Sequence, residues 1–214
     1  MLALAAPWSD SGGLSLGHGT VLQAAIAGGA DVLPARIGGG LMITRAVTAR
    51  LDLSLSLAGG AVTTIITTFV PTLAVRYGVW QSEQQGITLR LSAALPVSLL
   101  VANEVSASGT RSHAQARLEG VPLELLAAYS YALGTYVELG GLLPVRVFPA
   151  VTGELSYGVG LGARMGVHFL QRFIIAAEAT ARLEHTTYAP TGLGVGNGLF
   201  VIPAGQLSFS LDFQ

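Results

Sequence analysis

The side chains in this sequence that could do chemistry are four histidines, a scatter of serines, and 11 basic residues set against 12 carboxylates. Two groupings have the residue types of a general-base site: Ser112, His113 and Glu119, and the adjacent pair Glu184 and His185. The second is a poor dyad, because neighbouring residues of an extended chain point to opposite sides. His18, His113, His168 and His185 show no H-x-x-x-H spacing, and cysteine is absent, so no metal site, thiolate nucleophile or disulfide is predicted. Gly158, Gly160, Gly162 and Gly166 fall at even spacing along one strand face, unlike a phosphate-binding loop. No cofactor is implied, and the chain does not read as an enzyme.

The charges have a stronger pattern. Arg36, Arg50, Asp52, Arg76, Arg90, Glu124, Glu138, Arg146, Glu154, Arg164, Glu178, Arg182, Glu184 and Asp212 all take the less apolar parity of an alternating segment. None falls on the Leu/Val/Ile parity between turns. A slip of one residue inverts a strand, so this agreement supports both a β reading and its register.

Ala49-Arg-Leu-Asp-Leu-Ser-Leu-Ser-Leu57 alternates at every position, and Ile87–Leu99 alternates without a break. Similar segments run over 16–27, 35–44, 69–79, 121–131, 136–147, 154–167, 172–184 and the C-terminal stretch ending at 213. The sequence therefore predicts about ten strands, each near the 9–11 residues of a tilted membrane-crossing strand. Turns near 45–47, 80–85, 133–135 and 168–171 are short. Those at 59–68, 100–120 and 185–198 are long, with 100–120 the longest polar connection. Pro96 and Pro144 fall mid-strand and mark where these boundaries are weakest.

The last stretch places Leu207, Phe209, Leu211 and Phe213 on one face and Gln206, Ser208, Ser210 and Asp212 on the other. An alternating C-terminal strand with a terminal aromatic resembles the closing strand and assembly signal of bacterial outer-membrane β-barrels, although Gln214 follows the aromatic here. The resemblance covers about residues 14–213. It implies an all-β, closed antiparallel transmembrane barrel with short periplasmic turns and longer extracellular loops. It also implies a lipid-bilayer environment, recognition of the last strand by barrel-assembly machinery, and a bacterial outer-membrane location. Residues 1–13 read as a flexible lead or signal-peptide remnant, with Ala3 and Ala5 as an A-x-A site, and 14–214 as the barrel.

Parity alone does not say which face is inside, and a lipocalin-like soluble barrel would turn its apolar face inward. Three features favour the lipid-facing arrangement. Only 11% of residues are charged, and the polar parity is mostly Gly, Ala and Ser instead of a soluble coat. Tyr77, Trp80, Tyr131, Tyr136, Phe169, Phe173, Phe209 and Phe213 gather on the short-turn side as an interfacial girdle. A soluble interior would also have to hide the apolar faces of about ten strands in one core.

A net charge of −1 and scattered arginines exclude a nucleic-acid groove. The leading functional expectation is a narrow pore or passive transport barrel lined by the charged parity. A plugged structural barrel that binds an outer-membrane protein partner is the second reading. A lipid-modifying enzyme or protease using the loop histidines is the third.

Overall fold

The computed structural model describes residues 20–30, 35–61, 66–82, 84–106, 109–118, 123–133, 137–148, 154–169, 173–186 and 198–213. Twelve strands appear in order: β1 Thr20–Ala30, β2 Ala35–Thr48, β3 Leu51–Ala61, β4 Ile66–Gln81, β5 Gln85–Ala94 and β6 Val97–Ser106. They continue with β7 Gly109–Leu118, β8 Leu123–Ala132, β9 Val137–Phe148, β10 Glu154–Phe169, β11 Phe173–Thr186 and β12 Gly198–Phe213.

Ten of them close a ring. Neighbours run β1-β2-β3-β4-β5-β8-β9-β10-β11-β12 and return to β1, with every pairing antiparallel. Closure leaves no unpaired edge around the wall, which a strand structure in hydrocarbon requires. Thr20 pairs with Phe213, so both ends of the ring's chain lie at the end that carries the short turns.

β6 and β7 lie outside this ring. β4 pairs Thr72 with Ala94 of β5 and Ile66 with Leu100 of β6 in an unbroken register. Leu95 N donates to Pro71 O at 2.9 Å across the gap. β6 is thus the upward continuation of β5, interrupted at Pro96, and β7 folds back beside it. The expected long loop over 100–120 is corrected here: most of it is a β-hairpin rising from the loop end. Its polar residues fall on both parities, because this extension need not present one face to hydrocarbon.

Pro144 stays inside β9, buried. It pairs with Leu126 on the β8 side, but the β9–β10 ladder skips from Val145–Tyr157 to Leu142–Gly160. The missing donor is accommodated by that gap.

Alternation decides which side chains go where. In β3, Leu53, Leu55 and Leu57 point outward and exposed, while Asp52, Ser56 and Ala58 are buried inside. The same holds for Leu89 and Leu91 against Thr88 and Ser92, and for Ile175 and Leu183 against Ala176 and Arg182. The outer wall is therefore a continuous Leu/Val/Ile surface. Near the short turns, Tyr77 and Trp80 are exposed on it, and Tyr131 and Phe173 are half-buried. Phe173 packs against Phe209 with ring centroids 5.5 Å apart. Tyr136 and the side chains of Phe169 and Phe213 lie outside the described residues. Tyr129, which the sequence reading left out of the girdle, is exposed there and donates from its hydroxyl to Gln85 Oε1 at 3.0 Å.

Candidate functional site

The inner wall carries the charges, and the ladder registers set their heights. Asp52, Arg76 and Arg90 form one cross-strand row over β3, β4 and β5. One step towards the loops, Thr44, Ser54, Ala74, Ser92, Glu124 and Arg146 make a second row over six strands. Arg76 and Arg90 are direct neighbours of like charge, which is unfavourable unless each has a counter-charge. Each has one: Arg76 Nη2 lies 2.6 Å from Asp52 Oδ2, and Arg90 Nη2 lies 2.8 Å from Glu124 Oε1.

Glu124 is the centre of a larger lattice. Its second oxygen accepts from Arg146 Nε at 2.5 Å. Arg146 Nη1 then donates to Glu184 Oε2 at 3.0 Å. Arg182 Nη1 stands 3.5 Å from Glu184 Oε1 and 3.8 Å from Glu124 Oε2. Glu124, Arg146, Arg182 and Glu184 are all buried. Such charges are tolerated away from water only when paired and hydrogen-bonded, and here each ion has an opposite charge beside it. Across the described pairs, four arginines meet three carboxylates.

The lattice needs room, which β10 provides. Glu184 pairs across the ladder with Gly158, and Arg182 with Gly160. A Cβ at Gly160 would come within 2.7 Å of Arg182 Cγ, and one at Gly158 within 2.8 Å of Glu184 Cγ. These glycines clear the floor over which Arg146 of β9 reaches β11.

The interior is asymmetric. On the β8–β9 side, Leu126, Ala128 and Leu142 form a buried apolar cluster beside Pro144. The parity read from the sequence puts Ala128 on the inner face, and Leu126 and Leu142 share the parity of Glu124 and Arg146, although each sits in a Leu-Leu run and does not stand out. On the β2–β5 side, Met42, Thr44, Asp52, Ser54, Ser56 and Thr72 border a cavity of about 60 Å³ that also touches Arg76 and Arg90.

Several expected members fall elsewhere. Arg50 is corrected: it lies in the β2–β3 turn, exposed, with its backbone N–H donating to Thr48 Oγ1. It does not share the depth of Arg76 and Arg90. Arg90, grouped by sequence with the turn-end charges, joins the loop-end lattice through Glu124, so the two belts are bridged. Arg45, read as a turn residue, belongs to β2 and is exposed on the outer parity near its turn end, where a long side chain can reach water.

Arg164 is half-buried and pairs across the ladder with Glu138 and Glu178. Glu178 accepts from Gln206 Nε2 at 3.3 Å. The side chains of Arg36, Glu138, Glu154 and Asp212 lie outside the described residues, although each backbone sits in its strand. Glu184 and His185 do not converge. Glu184 is buried inside, whereas His185 is stacked on Tyr157 of the outer parity with centroids 5.4 Å apart. The side chains of Ser112 and His113, and all of Glu119, lie outside the described residues.

No protein-family profile matches the sequence, and no curated protein does. Among solved structures, the chain is similar to Neisserial surface protein A at 12% identity and a TM-score of 0.39, covering 91% of this chain and 96% of that one. It is similar to the NanC porin at 7% identity and a TM-score of 0.47, covering 90% and 100%. It is also similar to the translocator domain of the autotransporter NalP from Neisseria meningitidis, at 12% identity and a TM-score of 0.46, covering 91% and 88%.

The class of protein follows from the barrel itself. A closed ring with an apolar outer wall, a charged interior, short turns at one end and longer connections at the other has the architecture of a transmembrane β-barrel.

Proposed function

We propose that the barrel is a narrow pore whose path follows the hydroxyl-bearing β2–β5 side of the interior. The observation that carries this reading is the asymmetry of the inner wall. Among the described residues, ion pairs and the Leu126–Ala128–Leu142 cluster line the β8–β11 side, while small Ser, Thr and Ala side chains border a cavity on the other. Barrels of eight strands are just filled by their side chains, and ten give a slightly wider interior. Arg76 and Arg90 stand side by side at the cavity, so the pore takes small solutes with a mild anion preference.

The second reading is a plugged barrel that acts through its loops or its wall on another outer-membrane protein. It is favoured by Arg182, whose side chain has 0% exposure in the middle of the lattice. Uptake into proteoliposomes separates the two. A pore admits chloride and small uncharged solutes at rates proportional to protein loading. A plugged barrel leaves those rates at the level of empty liposomes while remaining folded and inserted.

A further inference from the structure

We propose that β7 is a docking edge, to which an extended acidic segment of a partner protein adds as a further strand. The proposal holds whether or not the barrel conducts.

The carrying observation is the open edge. Each strand of the ring has a neighbour on both sides, but among the described residues β7 pairs with β6 alone, from Gly109 to Leu118. The β4–β6 ladder ends at Leu100, so residues 101–106 and 109–114 stand above it as a two-stranded ribbon. Ala114, Gln115 and Ala116 are successive and all exposed, so neither face of the strand is covered there. A two-stranded ribbon is marginally stable in water, and a third strand completes it.

Exposed strand edges are normally guarded by shortness, proline, a bulge or lysine. β7 runs for 10 residues in an unbroken register and contains neither proline nor lysine. Its outer edge therefore offers main-chain pairing to an extended chain.

Charge selects the partner. Arg111, His113, Gln115 and Arg117 share one parity of β7, and the strand holds no carboxylate. On β6, Glu104 is the register partner of Arg111, but Arg117 has only Ser98. An added strand with carboxylates at alternate positions sets opposite charges side by side. A second copy of this chain fits poorly. Parallel in-register pairing puts Arg111 beside Arg111, and antiparallel pairing centred on Ala114 puts Arg111 opposite Arg117.

The experiment uses fluorescein-labelled peptides matched to β7 in length, with the refolded protein in non-ionic micelles. The probe alternates Glu and Thr. One control replaces every Thr by Pro, which keeps the charge and removes ladder donors. The other replaces every Glu by Lys. Anisotropy is expected to show saturable binding of the Glu–Thr peptide and at least about tenfold weaker binding of both controls. Hydrogen exchange in the complex slows within residues 109–118. Arg111→Gln with Arg117→Gln weakens binding by about two- to thirtyfold, the range for two cross-strand charge pairs. Arg50→Gln, exposed in a turn at the opposite end, leaves it unchanged.

Equal binding of the Glu–Thr and Glu–Pro peptides reduces the edge to a charged patch and overturns strand addition. No binding of the Glu–Thr peptide by folded protein means that the arginines guard the edge, which also overturns it. Exchange at 109–118 that slows with protein concentration alone makes a second copy the occupant and overturns the acidic partner.

Discussion

Arg146 of β9 and Glu184 of β11 form an ion pair that spans an entire intervening strand, with Arg146 Nη1 3.0 Å from Glu184 Oε2. The strand between them, β10, sets Gly158 opposite Glu184. Bulk at that position therefore acts on the pair from below. Gly158→Ala places a Cβ against the Leu183 carbonyl oxygen and 2.8 Å from Glu184 Cγ. A destabilisation of about 1–3 kcal/mol is expected from such overpacking, read as a lower urea midpoint for the micelle-refolded barrel. Gly141→Ala, whose added Cβ meets nothing within 4 Å, is the matched control and leaves the midpoint in place.

Breaking the lattice from one side leaves a charge uncompensated. Arg146→Met strips Glu124 and Glu184 of a shared partner, and a loss of about 3–5 kcal/mol is expected. Arg146→Met with Glu184→Gln costs less than the two single losses combined. A double-mutant cycle on unfolding in micelles measures that coupling, and additivity would show that the pair is not energetically joined.

The strand pattern was legible in the sequence wherever one face meets lipid and the other meets the interior. Leu53, Leu55 and Leu57 against Asp52 and Ser56 is the plainest case, and the structure keeps that register. The hairpin of β6 and β7 was not legible, because beyond the ring a strand has no hydrocarbon on one side to enforce alternation. The lattice was half legible. Parity placed Glu124, Arg146, Arg182 and Glu184 on one face, but only the ladder registers show that strands far apart in sequence bring them to one height. Arg50 failed for a local reason: it sits in the tight turn at 49–50, exposed, with its carbonyl still accepting from Gly78 N across to β4 but its side chain at the turn end.

The outer wall makes its own prediction. Leu55 is exposed at the middle of β3, so Leu55→Arg sets a charge in the hydrocarbon midplane at a cost of about 2–4 kcal/mol. Arg45→Leu, near the turn end of the same outer surface, changes stability little. Folding titrations in lipid vesicles compare them. Equal effects at the two positions would contradict a depth-graded, lipid-facing wall.

Charge selectivity follows from Arg76 and Arg90 together. Replacing both with Gln lowers the chloride-to-potassium permeability ratio, because the two guanidinium groups at the cavity are lost. Arg50→Gln, in the exposed turn, leaves the ratio unchanged. Reversal potentials under a salt gradient report both.

The most direct measurement is single-channel recording of the refolded wild-type protein in a planar bilayer, beside the paired variant Arg182→Ala, Glu184→Ala. A pore along the β2–β5 side predicts discrete small steps from the wild type, and larger steps when the lattice on the opposite side is emptied. Stable insertion of the wild type with no steps, and steps only in the variant, would contradict it and make the ion-pair lattice a plug.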